Sequence, residues 1–254
     1  MRHVPTLLRR ELGAYFLGPM AFLILLALQF VAWLNFWELV DTLSRRQEAY
    51  SSLNDPLNNY IATSMPFWIS LLVAVPALTM RLIAEERRTG TIETLLTVPV
   101  TETEVVVAKW LAGVGMYLLL LVPFAIYLPF LYYQAKFQFD PGPMLALGIG
   151  LVTMGMMFVA IGLFFSALTR NQIIAAIWTF VIMFLLLMLP LLVYVIAEDR
   201  RASWLEAARF ITLLIQVQTL GTGQLDLRFL VLHLSVTAFM LYVTVKVLES
   251  RRYQ

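Results

Sequence analysis

The sequence predicts an all-α polytopic membrane protein with six transmembrane helices, plus an N-terminal amphipathic helix and a short helix between spans two and three. Three observations carry this prediction. Hydrophobic residues make up 61% of the 254 positions and charged residues 13%, whereas soluble domains hold about 25% charged. Mean hydropathy is +0.82. Six apolar runs each reach the roughly 20 residues that a helix needs to cross a bilayer, and none alternates with the two-residue period of a barrel strand.

The runs lie at about 15–37, 61–83, 105–132, 144–168, 173–196 and 229–247. With the N-terminus inside, 11 Lys and Arg fall on the inner face and 7 on the outer face. That bias places both termini in the cytoplasm. The polar intervals are too short for a sizeable soluble domain, so residues 1–254 read as one transmembrane domain. The absence of Cys excludes disulfides and thiolate chemistry. The net charge of +2 is too small to suggest nucleic acid as a partner. The basic N-terminus precedes a run too long for a cleavable signal.

From the N-terminus, Val4, Leu7, Leu8, Leu12 and Tyr15 recur at helical spacing, with Arg9, Arg10 and Glu11 between them. Residues 1–14 read as a helix in the inner headgroup layer, as a positive anchor for the first span, or as both. Trp33, Trp37, Trp68, Trp110 and Tyr132 lie near span ends, as interfacial aromatics do.

The segment 84–104, "AEERRTGTIETLLTVPVTETE", follows the second span. The second helix is expected to continue out of the membrane, with Arg81, Arg87 and Arg88 at its C-terminal end, where the dipole suits cations, and Gly90 as its stop. From Thr91 a stub helix places Ile92, Leu95 and Leu96 on one ridge, too short to fold without docking. Pro99 breaks it. Thr101 and Glu104 then form a capping box that opens the third span. The segment is a stiff protrusion with an apolar tip and charged shoulders.

The turn "DPGP" leads into the fourth span. There Gly148, Gly155 and Gly162 repeat at seven, which marks a helix-packing face within the subunit or at a dimer seam. Met154, Met156 and Met157 do not share a face and read as packing rather than as a metal site. The outer segment 198–228 contains a capping box, Ser203 to Glu206, and an apolar stretch that Gly221 and Gly223 end. It reads either as an outer gate or as a plain interfacial helix. His233 is the one ionisable group well inside a span and reads as a neutral, hydrogen-bonded packing residue.

No metal site or catalytic constellation is visible. Only two His exist, and HExxH, G-x-S-x-G and Walker A motifs are missing. The chain reads as a protein that is not itself an enzyme.

The stretch "EERRTGTIETLLTVPVTETEVVVAKWLA" resembles the signature of ABC-2-type permeases. Glu86, Gly90, Thr91, Glu93, Leu95, Leu96, Pro99, Val100, Glu104 and Lys109 fall at the matching positions. The six-span layout, with Asp226 before the last span and the tail Leu248 to Arg252, is similar to the gliding-motility-type branch. The Ser-Pro common in that branch is replaced here by "TLLIQVQT".

The resemblance implies the transmembrane permease subunit of an ABC exporter, two subunits forming the pathway as a homo- or heterodimer. ATP and Mg would be bound by a separate ABC ATPase in two copies, with no cofactor on this chain. The cytoplasmic coupling helix would lie in 84–104. There Ile92, Leu95 and Leu96 would enter a groove on the ATPase, with Glu85, Glu86, Arg87 and Arg88 beside them and Gly90, Thr91, Glu93, Pro99 and Glu104 shaping the segment. Localisation would be the inner membrane of a prokaryote, in contact with membrane lipid. An alternative is a membrane anchor that relays ATPase motion to an extracytoplasmic partner without moving a solute.

Overall fold

A computed structural model describes residues 3–45, 61, 64–90, 101–134, 141–196 and 210–252. Among them the chain is helical and forms no strand. Six helices are long and apolar enough to cross a membrane.

Helix α1, Val4–Leu17, ends at Gly18, whose backbone is extended (φ −99°, ψ 150°). Pro19 then opens α2, Pro19–Arg45. A residue before proline is pushed out of the α region, so Gly18-Pro19 makes an elbow. This corrects the expected first span, which began at Tyr15: Tyr15 belongs to α1, and the helix that carries the first apolar span starts at Pro19. The face of α1 turned inward carries Val4, Leu7, Leu8, Leu12 and Tyr15, the predicted stripe.

Helix α3, Met65–Thr79, is capped by Ser64, whose hydroxyl accepts from the Phe67 N–H at 3.3 Å. The expected continuation of this helix out of the membrane does not occur. The chain turns at Met80–Ile83, and a separate helix α4, Ala84–Thr89, follows. Gly90 ends α4 in the left-handed conformation, φ +75°, which glycine adopts without steric cost. Helix α5, Glu102–Gln134, opens with the predicted capping box. Glu104 Oε2 accepts from Thr101 N–H and Thr101 Oγ1 accepts from Glu104 N–H, each at 3.3 Å.

Helices α6, Pro141–Leu168, and α7, Gln172–Ile196, are joined by a tight turn in which Asn171 Oδ1 accepts from Ile173 N–H. A short helix α8, Leu213–Gly221, precedes the last span, α9, Leu227–Arg252. Helix α6 is the centre of the bundle and touches α3, α5, α7, α8 and α9.

The predicted glycine repeat divides in two. Gly155 lies under the ring of Tyr117 on α5, and a Cβ there would overlap that ring. Gly162 meets Thr79 of α3 in the same way. Gly148 has nothing within 4 Å of a built Cβ, so no part of the described chain packs on it. Gly150, two residues on, is where α8 approaches, with Leu220 against it.

Burial separates the spans. The second, third and fourth bury 67%, 56% and 61% of their windows, but the first, fifth and sixth only 22% each. The latter three therefore present apolar faces outward, including Phe22, Phe30 and Trp33 on α2 and Ile173, Ile177 and Trp178 on α7. A helix apolar all round suits a membrane rather than water.

Candidate functional site

Polar groups concentrate where α1, α4, α5 and the end of α6 meet. The centre is Lys109, only 2% exposed although it sits near the start of a span. A buried ammonium needs compensating charge. Lys109 Nζ lies 2.9 Å from Glu86 Oε1 of α4 and 3.1 Å from Glu11 Oε2 of α1. Arg10 closes the cluster from the rim, 2.8 Å from Glu11 and 3.3 Å from Glu86. Its hydrogen bond to Glu11 raises the already high pKa of the guanidinium. Two cations and two carboxylates balance, so the knot is neutral and ties three segments together.

Beside it, Ser166 of α6 holds the turn between α3 and α4. Its hydroxyl accepts from the backbone N–H groups of Ile83 and Ala84, each at 3.0 Å, and donates to the Met80 carbonyl at 3.1 Å. One buried side chain thus satisfies three backbone groups that the missing helical turn leaves open. The Arg87 guanidinium donates to the Ala167 carbonyl, in the last turn of α6 where the helix dipole favours a cation. Helix α4 is therefore clamped to α6 by Ser166 and Arg87, and to α1 and α5 by Glu86.

Tyr15 adds a fourth tie. Its hydroxyl donates to the Leu78 carbonyl of α3 at 3.1 Å. Burial pushes the phenol pKa far above its ordinary value, so it remains a donor.

The predicted coupling residues occupy different positions around this assembly. Glu86 and Arg87 point into the protein, because Lys109 and the end of α6 take them up. Glu85 lines a cavity toward α1. Arg88 and Gly90 are exposed at the free end of α4. Glu104 is buried in its capping box. Thr91, Ile92, Glu93, Leu95, Leu96 and Pro99 lie outside the described residues. The described chain leaves at Gly90, the end of the clamped α4, and returns at Thr101.

Sequence reasoning missed Glu11 as a partner. Its signal was positional: it sits three residues after Leu8 and four before Tyr15, on the stripe that packs inward. Lys109 stands at a matching position of the ABC-2 signature, but nothing near it in the sequence marks its counter-ions, which lie on α1 and α4.

A second polar network lies toward the other end of the bundle. His233 of α9 is fully buried, with Nε2 2.9 Å from Gln216 Oε1 of α8 and Nδ1 3.1 Å from Thr153 Oγ1 of α6. Gln216 Nε2 donates to the Phe210 carbonyl at 2.7 Å, so its Oε1 is the acceptor facing the ring. A neutral imidazole protonated at Nε2 then donates to Gln216 and accepts from the Thr153 hydroxyl, satisfying both sides with one tautomer. The predicted outer residues Gly221 and Gly223 end α8, Gly223 at φ +86° against Pro143. Ser203 and Glu206 lie outside the described residues.

Residues 39–242 match the family model described as ABC-2 family transporter protein. A search among curated proteins gives no match.

Proposed function

The chain belongs to the ABC-2 family of membrane transporter proteins, and from that premise we propose that it is the permease subunit of an ABC exporter driven by a separate ATPase. The observation that carries this reading is the clamped helix α4. Its ties to α1, α5 and α6 make it a rigid arm, so a force applied at Gly90 is delivered to three segments together. An elbow freely hinged at Met80–Ile83 would dissipate that force.

In this reading, the stub ridge Ile92, Leu95 and Leu96 docks in a groove of the ATPase, with the exposed Arg88 beside it. Closure of two ATP-bound ATPase copies pushes α4. The push passes through Lys109 into α5, and through Ser166 and Arg87 into α6, the helix that contacts most of the bundle. The sparsely buried spans on α2, α7 and α9 meet lipid or a second permease subunit, identical or related. Both termini face the cytoplasm of a prokaryotic cell. The tail Leu248 to Arg252 supports the gliding-motility-type branch.

The test is Leu95→Asp in the complex reconstituted with its ATPase. A charge on the docked ridge must be desolvated, at a cost of about several kcal/mol. Insertion should be normal, while ATPase co-purification and coupled transport fall. A Leu95→Asp protein that binds the ATPase and transports as wild type would remove the coupling assignment.

A further inference from the structure

A cavity of about 390 Å³ opens between the α1–α2 elbow and the end of α3. Its polar end carries Arg81, Glu85 and Glu11, and its apolar wall is built by Ala21 and Ile24 of α2 with Ala77 and Leu78 of α3. The polar end lies at a membrane boundary. Ala21 lies in the first turn of α2, and Arg81 and Glu85 fall in the last part of the second span.

The charges there are unevenly used. Glu11 is neutralised by Lys109 and Arg10. Arg81 Nε is buried and has no hydrogen-bond partner among the described residues, and neither Arg81 nor Glu85 forms an ion pair among them. A buried guanidinium nitrogen without an acceptor is costly, and Glu85, half-buried on the same wall, offers a carboxylate with no ion-pair partner among the described residues.

We propose that this cavity binds the headgroup of a zwitterionic, primary-amine phospholipid, its phosphate on Arg81 and its ammonium on Glu85. Guanidinium and phosphate match in charge and fork geometry. Glu85 repels a ligand of net negative charge, which disfavours an anionic lipid or free phosphate. A quaternary ammonium would need a cage of aromatic faces, but Tyr15 is the one aromatic ring on the lining. A primary ammonium instead brings three N–H donors to a carboxylate. The apolar wall then receives the first segment of the acyl chains. Bound there, the lipid bridges α1, α2 and the α3–α4 turn. Its assignment to the inner leaflet rests on the orientation proposed above, but the binding itself does not.

The test uses the purified full-length chain in nanodiscs containing equal parts of phosphatidylethanolamine, phosphatidylcholine and phosphatidylglycerol. Native mass spectrometry after transfer to detergent reads the lipid retained. Phosphatidylethanolamine is expected to be enriched about tenfold, the ratio that one charge-assisted hydrogen bond supports. Arg81→Gln and Glu85→Gln should each abolish the enrichment, and Arg88→Gln should leave it intact. Glu85→Gln keeps the test open should Arg81→Gln fail to fold. Equal retention of the three lipids, preference for phosphatidylcholine or phosphatidylglycerol, or enrichment that survives Glu85→Gln would overturn the proposal. None of these readouts requires the ATPase, so failure here is separable from failure of the coupling reading.

Discussion

Replacing both carboxylates that face Lys109 should cost more than the sum of the two single changes. In Glu86→Gln, Lys109 keeps Glu11 at 3.1 Å; in Glu11→Gln it keeps Glu86 at 2.9 Å. Each single variant therefore loses one of two charged contacts, and Glu11 and Glu86 are 13% and 18% exposed, so water replaces part of the loss. About 1 kcal/mol is expected for each. The double variant leaves an ammonium that is 2% exposed without a carboxylate. Breaking a buried ion pair outright costs about 3–5 kcal/mol. The excess over additivity is then about 2 kcal/mol, within the range for residues that share a partner. Adding Lys109→Met to the double variant removes the stranded charge and should recover most of that excess. The assay is denaturant unfolding in detergent micelles, paired with tryptic cleavage after Arg9 and Arg10 as a probe of α1 release. A double variant no less stable than the sum of the singles would refute the knot as the element that fastens α1 to α4 and α5.

Two further outcomes test the clamp and the packing beneath it. Ser166→Ala removes the acceptor for two buried N–H groups, each worth about 1–3 kcal/mol when orphaned. Unfolding in micelles should register that loss, and hydrogen exchange at Ile83 and Ala84 should rise before the rest of the bundle responds. Gly155→Ala drives a methyl into the Tyr117 ring, an overpacking that costs about 1–3 kcal/mol. Tyr117 cannot yield easily, because it is fully buried and its hydroxyl donates to the Leu151 carbonyl at 3.1 Å. The same change at Gly148, which meets nothing within 4 Å, should be silent in the isolated subunit.

The sequence and the structure agree where local chemistry decides, and part where distant residues meet. The α1 stripe, the Thr101–Glu104 capping box and the Gly90 stop are all properties of a few consecutive residues, and all three were legible. The Gly18-Pro19 elbow has a local mark too, but hydropathy runs smoothly across it, so the apolar run reaches back to Tyr15. The break at Met80–Ile83 has no such local mark. It is held by Ser166, more than eighty residues away, and one serine among many carries no periodicity. Gly148 is the converse case: no part of the described chain packs on it, so of the two packing readings the seam with a second subunit stays open there. Spacing by seven identifies residues on one helix face, but a partner must also be present at that height, and α8 arrives at Gly150 instead.

The ionic knot and the stub ridge differ in the same way. A ridge such as Ile92, Leu95 and Leu96 is visible in the sequence because its spacing is local. Lys109, Glu86 and Glu11 look like three unrelated charges, on three segments, because their partners are one another. Buried ion pairs contribute little net stability compared with apolar packing, so stability alone does not account for one at this place. What they supply is registry: α1, α4 and α5 can be joined in one relative position and no other without stranding a charge. In the coupling proposed above, with force entering at α4, a joint that tolerates no slippage transmits displacement, whereas an apolar contact of equal strength could slide. The discriminating measurement is the Glu11→Gln/Glu86→Gln/Lys109→Met variant. On this argument it regains stability yet still couples ATP hydrolysis to transport poorly. Restored coupling alongside restored stability would reduce the knot to packing.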